Sequence, residues 1–391
     1  MVDSVAAFTD TYLPTINGVT YTVRTWRERW HRLGGTMAVV FPGADGYVPD
    51  ETEHPVPSVD FPFYSGYRLG TPSVPSSLAS VDLVHAHTPF AVGLAASRLA
   101  RRVDVPFVAS FHTPSAEYAR YLAPTRRLRR HVARIASAYE RRFYDRADLV
   151  LAPSSVAGDH LRESIGVSTP VEVVSNGVDC SLFRPVEGRS VRDRYGLEGV
   201  VIGYTGRHGY EKRLEEVLAA ASVLADGAAW GHDVLRHHSL ANGSDGGSGI
   251  TVVFGGDGPA RPMLERRARE LGVDARFTGF VDRDDLPAFY SALDVFVFPS
   301  PVETQGLVAL ESIACGTPVV APDRGALAET VTDGVTGVHY ASGNADDLAR
   351  AIVQALERNE EFESACLRER RQLDVDRTMR RLDRIYDRLC T

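Results

Sequence analysis

The chain has 391 residues, of which 44% are hydrophobic and 24% charged, as in an ordinary globular protein. No stretch approaches 18 consecutive apolar residues and the first residues lack a basic leader, so we expect neither a membrane-spanning helix nor a secretory signal. Four scattered cysteines without metal-ligand spacing are typical of the reducing cytosol, which predicts a cytoplasmic protein, at most peripheral on the inner face of the cell membrane.

Short apolar segments alternate with helix-period segments along the whole chain. The predicted strands are 2–8, 36–41, 82–87, 105–111, 148–152, 171–175, 200–205, 250–254, 275–280, 294–299 and 318–321. Several are continuous runs of Val, Ala and Phe, as in strands that helices cover on both faces. The alternation predicts parallel βαβ units and therefore doubly wound α/β sheets.

These units are too many for one sheet, and the polar stretch 184–198 is a natural boundary. We predict one Rossmann-like domain over 1–185 and a second over 198–365. A C-terminal helix over 366–391 is expected to pack back across the boundary.

Two segments lack periodicity. The proline-rich stretch 42–80 predicts a long loop with at most a short strand, and the Gly/His/Ser-rich stretch 227–249 predicts a surface insertion. We assign His232, His237 and His238 to that insertion and not to a metal site.

The predicted first domain places polar residues where strands end. In FTDTYLPTINGV (8–19) a strand leads through a loop into a helix entered near Gly18, and Asn17-Gly18 lets backbone approach an anion closely. HAHTPF (85–90) and SFHTPSAEYARYL (110–122) are strands that end in His-Thr-Pro. Since strand carboxyl ends face the ligand crevice of such sheets, His87 and His112 are candidate site residues, although a structural role fits His87 equally well.

Residues 120–146 contain nine arginines and two acidic residues, whereas the whole chain carries a formal charge of −8. A basic segment on an acidic protein predicts an anionic partner there, and no nucleic-acid-binding motif accompanies it. Within 125–146 an apolar stripe at helical spacing predicts an amphipathic helix, whose other faces carry Arg126, Arg127, Arg130 and Arg134. This helix could dock on the sheet, present its arginines to an anionic membrane surface, or do both.

The only lysine of the chain, Lys212, closes the motif TGRHGYEK (205–212) after the strand 200–205. Together with Arg207 it places two positive charges near the start of a helix, where backbone amides already favour anions. The pattern predicts a phosphate clamp.

The segment 299–318 combines a second anion site with two carboxylates. Glu303 lies in the predicted turn before a helix that begins near Gly306, and Glu311 lies on the apolar part of that helix. The free amides of Gly306 and Leu307 favour phosphate, whereas carboxylates suit the paired hydroxyls of a sugar. A nucleotide diphosphate sugar has phosphates between two polyols, and we predict it as the ligand.

These motifs resemble the retaining glycosyltransferases of family four, which have the GT-B fold with two Rossmann-like domains facing a central cleft. The matching segments are TGRHGYEK, VFGGDGP (253–259), RFTGFV (276–281), the Glu303 and Glu311 pair with ACGTPVVA, and VTDGVTG (331–337). The segments HAHTPF and SFHTPSAEYARYL, together with the residues ETQG (303–306), are most similar to members that glycosylate diacylglycerol-type lipids or mannosylate related membrane acceptors. Asn17 departs from the glycine that the family often has there.

The resemblance implies a role for each matching residue. Arg207 and Lys212 would hold the leaving diphosphate, with the amides of Gly306 and Leu307 nearby. Glu303 would bind sugar hydroxyls and Glu311 the ribose. Backbone near Phe280 and Val281 would read the base, and His112 would lie beside the reacting sugar.

We therefore predict a hexosyltransferase that uses UDP-hexose or GDP-mannose, acts with retention of configuration on a membrane lipid, and needs no metal or other cofactor. The alternatives are a soluble or protein- or lipid-linked glycan acceptor, and a nucleotide-sugar epimerase or phosphorylase on the same fold. A phosphorylase would need Lys212 for pyridoxal phosphate. An oxidoreductase is disfavoured because no GxGxxG follows the strand 2–8.

Overall fold

The computed structural model describes residues 2–61, 67–114, 125–226 and 249–391. Most of the predicted insertion 227–249, with its three histidines, and part of 110–122 lie outside these residues, as does the side chain of Arg126. The chain divides into two compact units. The first unit is Met1–Gly177 with Val375–Thr391, and the second unit is Val178–Asp374.

The first unit contains a seven-stranded parallel sheet in the order β3-β2-β1-β6-β7-β8-β9 and a short antiparallel pair, β4-β5. The strands are β1 (Ser4–Phe8), β2 (Thr36–Pro42), β3 (Glu53–Val56), β4 (Ser58–Asp60), β5 (Arg68–Gly70), β6 (Leu83–Ala86), β7 (Phe107–Ser110), β8 (Leu149–Ala152) and β9 (Val171–Val173). The helices are α1 (Gly18–Arg32), α2 (Ala91–Val103), α3 (Arg126–Tyr144) and α4 (Ser155–Asp159), with a 3₁₀ turn at Ser76–Leu78 and a π-helical turn at His160–Ile165.

The second unit contains a six-stranded parallel sheet in the order β12-β11-β10-β13-β14-β15. Its strands are β10 (Val200–Thr205), β11 (Ile250–Gly255), β12 (Asp274–Gly279), β13 (Val295–Val297), β14 (Val319–Pro322) and β15 (Gly337–Tyr340). Its helices are α5 (Arg189–Tyr195), α6 (Glu215–Ala225), α7 (Arg261–Leu271), α8 (Leu286–Ser291), α9 (Leu307–Ala314), α10 (Leu327–Thr330), α11 (Ala345–Glu357) and α12 (Asn359–Leu373), with a 3₁₀ turn at Tyr210–Lys212. The last helix, α13 (Val375–Cys390), belongs to the first unit.

Each sheet confirms the predicted doubly wound architecture. Strands such as β1, β7 and β10 are buried almost throughout because helices cover both faces of the sheet. The strand order reverses between β1 and β6 in the first unit and between β10 and β13 in the second. Ligands of such sheets bind at the carboxyl ends of the strands on either side of this reversal. Among the described residues, no helix is long and apolar enough to cross a membrane.

The structure departs from the sequence prediction at the domain boundary. The polar stretch 184–198 lies inside the second unit and contains α5. Arg192 fixes it there by donating to the Asp294 carboxylate at 2.9 Å and to the Ala292 carbonyl at 2.8 Å. The chain instead leaves the first unit after Gly177. Glycine is required at this position because its φ is +73° and an added Cβ would lie 2.6 Å from the Cα of Val375.

The predicted C-terminal helix is two helices. The chain is extended at Asp374, between α12 and α13, and there it passes from the second unit to the first. A salt bridge of 3.1 Å between Arg29 of α1 and Asp376 helps to hold α13 in the first unit.

The strands β3, β4 and β5 lie in a segment for which the sequence predicted a loop with at most one short strand. They are only three or four residues long. The strand β3 forms the edge of its sheet, and an edge strand tolerates Pro55, which has no N–H to donate to a further strand. The strand β15 was also missed.

Candidate functional site

The loops after β10 and β13 meet at the reversal point of the second sheet. Lys212, in the 3₁₀ turn after β10, donates from Nζ to Glu303 Oε1 at 2.5 Å. Glu303 follows β13, and the two side chains are only 19% and 13% exposed. The structure therefore brings together two of the predicted site residues, which lie 91 positions apart in the sequence.

Arg207 has a carboxylate partner that the sequence analysis did not single out. Its Nη1 donates to Glu211 Oε1 at 2.9 Å. The two residues are four positions apart but do not share an α-helix, so helical spacing could not have revealed the pair. The two cations of the predicted clamp thus face two carboxylates, and an incoming diphosphate must exchange partners with them.

Glycines after β11 let two loops lie in contact. A Cβ on Gly256 would lie 2.1 Å from the carbonyl oxygen of Gly206, and one on Gly258 would lie 2.6 Å from that of His208. The loops are joined by hydrogen bonds from His208 N to Asp257 O at 2.8 Å and from Ala260 N to His208 O at 2.9 Å. This contact positions the segment that carries Arg207.

The helix α9 begins where the sequence predicted. Its N-cap is Gly306 with φ +87°, and a Cβ there would lie 2.4 Å from the buried Cδ2 of Leu327. Only glycine fits both the backbone angle and the space. The first amides of α9, including that of Leu307, have no partners within the helix and remain suited to an anion.

Glu311 is buried on α9 and is already hydrogen-bonded. Its Oε2 accepts from the Tyr290 hydroxyl at 2.8 Å, and its Oε1 accepts from Arg283 Nη1 at 3.4 Å. Burial raises the pKa of the Glu311 carboxyl, whereas Arg283 and Tyr290 act in the opposite direction. Neither partner was predicted from the sequence, since neither belongs to a recognised motif. Each carboxylate oxygen can accept further hydrogen bonds.

Phe280 and Val281 follow β12, at the same edge of the sheet as the other predicted residues. Phe280 is 57% exposed, unusual for a large apolar side chain. The preceding Gly279 has φ +74°, and its carbonyl accepts from Gly256 N at 2.6 Å. The bend at Gly279 thus ties this segment to the glycine loop.

In the first unit, Asn17 is the N-cap of α1, which begins at Gly18 as predicted. Its Oδ1 accepts from Thr20 N at 3.0 Å, and its Nδ2 donates to Thr11 Oγ1 at 2.6 Å. The φ of Asn17 is −162°, an extended value open to any residue, so the backbone does not demand the family's glycine here. Asparagine instead contributes a side-chain cap.

His112, after β7, lies against His87, after β6. Their Nε2 and Nδ1 atoms are 3.1 Å apart, and the two rings meet edge to edge, with centroids 5.4 Å apart and planes within 12° of each other. Burial lowers the pKa of His112 to about 4 and places that of His87 well below its ordinary value. Both rings are therefore neutral near pH 7.

The predicted amphipathic helix is α3, capped by Thr125, whose hydroxyl accepts from Leu128 N. Its last turn docks on the core through Phe143 and Tyr144, each 1% exposed. Earlier turns expose Leu128 and Ile135, together with Arg127, Arg130 and Arg134. Across the described part of the chain, no three His, Cys, Asp or Glu side chains are grouped so as to hold a metal ion.

Two family models together match most of the chain. Residues 16–182 match Glycosyltransferase Family 4, and residues 196–372 match Glycosyl transferases group 1. The chain is 28% identical over 369 residues to an alpha-monoglucosyldiacylglycerol synthase of Streptococcus pneumoniae, covering 90% of this chain and 78% of the relative. It is 30% identical to a GDP-mannose-dependent alpha-mannosyltransferase of Corynebacterium glutamicum, covering 85% and 76%.

The fold is shared with solved structures. Anabaena HepE, crystallised with UDP and glucose, aligns over 99% of this chain and 100% of its own, with a TM-score of 0.74 and 20% identity. This likeness confirms the predicted GT-B fold. The chain belongs to the glycosyltransferases that join a Family 4 domain to a group 1 domain.

Proposed function

We propose that this glycosyltransferase moves a hexose from a nucleoside diphosphate sugar to a hydroxyl of a membrane lipid, with retention of configuration. The observation that carries the proposal is the Lys212–Glu303 pair at the reversal point of the second sheet, in the loop that leads to the N-terminus of α9. This arrangement offers cations and amides to phosphate and a carboxylate to sugar hydroxyls.

The ion pair suggests how the donor is bound. When the diphosphate takes Lys212, Glu303 is released to accept hydrogen bonds from the sugar. The bond from C1 to the phosphate oxygen then breaks, the acceptor hydroxyl oxygen bonds to C1, and the hydroxyl proton passes to the departing diphosphate. The negative charge that grows on the diphosphate is stabilised by Lys212, Arg207 and the first amides of α9. Removing one such contact typically costs about 100-fold or more in turnover.

The choice of donor rests on the relatives. One is named for GDP-mannose and one solved structure holds UDP and glucose, so UDP-hexose and GDP-mannose are the donors to test first. Phe280 and Val281 are the proposed contacts of the base. Retention follows from the family resemblance, and the chemistry above assigns no role to a metal.

The choice of a lipid acceptor rests on the exposed surface of α3. Leu128 and Ile135 are 45% and 62% exposed beside Arg127, Arg130 and Arg134, which is the composition of a helix that lies on an anionic membrane. Near the other end of α3, a cavity of about 470 Å³ is lined by Arg101, Arg141, Arg142, Arg146, Asp145 and Ala138 and extends the positive charge. The Streptococcus relative is named for a diacylglycerol glycolipid.

A donor panel tests the reaction. The protein is incubated with UDP- and GDP-hexoses, with and without diacylglycerol-type lipid in phosphatidylglycerol vesicles, and nucleotide release and glycolipid are followed by mass spectrometry. We expect lipid-dependent release with one donor and its loss in Lys212→Met. The control Arg350→Gln removes an exposed cation paired with Asp347 on α11 and should be unaffected. A normal rate in Lys212→Met would refute the clamp.

Vesicle co-sedimentation tests the acceptor side. The triple change of Arg127, Arg130 and Arg134 to serine should abolish binding to anionic vesicles. A control removes the same charge from exposed Arg377, Arg380 and Arg384 of α13 and should leave binding intact. Equal binding by both variants, with transfer to a soluble glycan, would favour the alternative acceptor.

A further inference from the structure

Three histidines of the first unit lie in a row, with His85 and His87 buried and His112 partly buried. The His85 and His87 ring centroids are 4.2 Å apart with an interplanar angle of 27°, and His87 and His112 follow at 5.4 Å and 12°. His85 and His87 are 0% and 1% exposed. Burying imidazole rings destabilises the fold unless each buried ring nitrogen has a hydrogen-bond partner.

His85, at the inner end of the row, has a hydrogen-bond partner at both ring nitrogens. His85 Nδ1 lies 2.6 Å from the Tyr386 hydroxyl of α13, and its Nε2 lies 2.8 Å from Ser110 Oγ of β7. Trp26 of α1 packs against the rings of both His85 and His87, with centroids 6.0 and 5.5 Å away. The ring of His85 is therefore held on several sides and forms a fixed support for His87.

His87 differs from His85 in how its side chain is bonded. Its Nδ1 pairs with His112 Nε2, and its Nε2 is buried without a hydrogen-bond partner among the described residues. The side chain thus leaves one nitrogen unsatisfied and uses the other to contact His112. A buried nitrogen without a hydrogen bond destabilises the fold, so a purely structural role does not explain a histidine at this position.

The unpartnered nitrogen also assigns the hydrogens. In the pair, one of the two facing nitrogens must carry the hydrogen and the other must accept it. A hydrogen on His87 Nε2 would be a buried donor without an acceptor, a rare arrangement, so His87 carries its hydrogen on Nδ1 and donates to His112. His112 then accepts at Nε2 and carries its own hydrogen on Nδ1.

We propose that His87 is a positioning residue that fixes the ring orientation of His112 and its Nδ1–H tautomer, supported from behind by His85 and Tyr386. The inference rests on the proposed function and on the family resemblance, which implies that His112 lies beside the reacting sugar. Both rings stay neutral at the pH of the cytosol, since burial depresses their pKa values, so the contact is a hydrogen bond between uncharged rings. Its effect is geometric, and misplacing a reacting group by about 1 Å can cost about 100-fold in rate.

Three substitutions of His87 test the proposal. In His87→Asn the amide nitrogen takes nearly the position of Nδ1 and can still donate to His112, whereas His87→Gln places its amide near the position of Nε2 and His87→Leu has no donor. We expect His87→Asn to keep kcat within a few-fold of the wild type. The other two should lose about 100-fold in kcat with little change in the donor KM. Equal activity of the Asn, Gln and Leu variants, or equal loss in all three, would overturn the proposal.

A second measurement does not depend on transfer activity. Proteins labelled with ¹⁵N at histidine report the tautomer of His112 through its two ring-nitrogen shifts, assigned with a His112→Gln variant. The wild type and His87→Asn should show a single Nδ1–H tautomer, and His87→Leu should show averaged shifts of two tautomers. An unchanged His112 ring in His87→Leu, or an Nε2–H tautomer in the wild type, would overturn the assignment even if the chain transfers hexose as proposed. Unaltered thermal unfolding of the Asn variant confirms that the fold is retained.

Discussion

Replacing Glu303 with glutamine should have opposite effects on nucleotide binding and on sugar transfer. In the free protein the carboxylate holds Lys212 at 2.5 Å, so a diphosphate must break this pair before it contacts the ammonium group. Glutamine keeps the volume of the side chain and removes both the competing charge and its repulsion of phosphate. The same change leaves the sugar hydroxyls with a weaker, uncharged acceptor.

The size of the effect follows from the burial of the pair. Exposed ion pairs contribute up to about 1 kcal/mol, and loss of one partner from a fully buried pair costs about 3–5 kcal/mol. With side chains 19% and 13% exposed, an intermediate value of about 1.5–2 kcal/mol is reasonable. The wild type loses that free energy when nucleotide separates the pair, whereas Glu303→Gln has no such pair to break. UDP or GDP should therefore bind roughly 10- to 30-fold more tightly to the variant.

Isothermal titration of UDP and GDP measures the first effect, and kcat with the sugar donor measures the second, which should fall about 100-fold. Glu265→Gln is the matched control, because it removes the partner of Arg261 at 2.8 Å on α7 and should change neither quantity. If Glu303→Gln binds nucleotide as weakly as Lys212→Met does, the pair is not a competitor of phosphate and the reasoning fails.

Three further predictions concern stability. Gly306→Ala should lower the free energy of unfolding by about 2–4 kcal/mol, because it combines a left-handed backbone angle with a Cβ 2.4 Å from Leu327. The control Gly334→Ala has a similar φ of +71° but open space around the Cβ, so it should lower the free energy of unfolding by only about 1 kcal/mol. Thermal or urea unfolding measures both. Because Asn17 caps α1, Asn17→Ala should lower the free energy of unfolding by about 1 kcal/mol and Asn17→Gly by only a few tenths of that. Equal losses for the two variants in urea unfolding would argue against the cap. Burial lowers the pKa of His85 to about 3, so below about pH 6.5 the unfolded chain binds more protons than the folded chain. The free energy of unfolding should therefore fall as the pH drops from 6.5 to 5, by up to about 1.4 kcal/mol per pH unit from this ring. His85→Gln should make the free energy of unfolding less dependent on pH, and an unchanged pH dependence would contradict a lowered pKa of His85.

Much of the fold was readable from local patterns. The run 149–152 is apolar throughout and the run 200–205 is apolar up to Thr205, and a strand that is buried on both faces leaves that pattern in any sequence window. The start of α9 was predicted because a glycine before an apolar helical segment is a local signal. The boundary between the units was not, because the polar stretch 184–198 is held by Arg192 reaching residues about a hundred positions away.

The candidate site divides in the same way. Local patterns were enough to predict which residue types follow the strands: Arg207 and Lys212 after one strand, Glu303 after another, and His112 after a third. The contacts of these side chains, such as Glu303 with Lys212 and His87 with His112, became visible in the folded chain. Strand and helix formation depends on neighbours within a few residues, whereas the partner of a side chain depends on sheet order, which places β10 beside β13 and β6 beside β7.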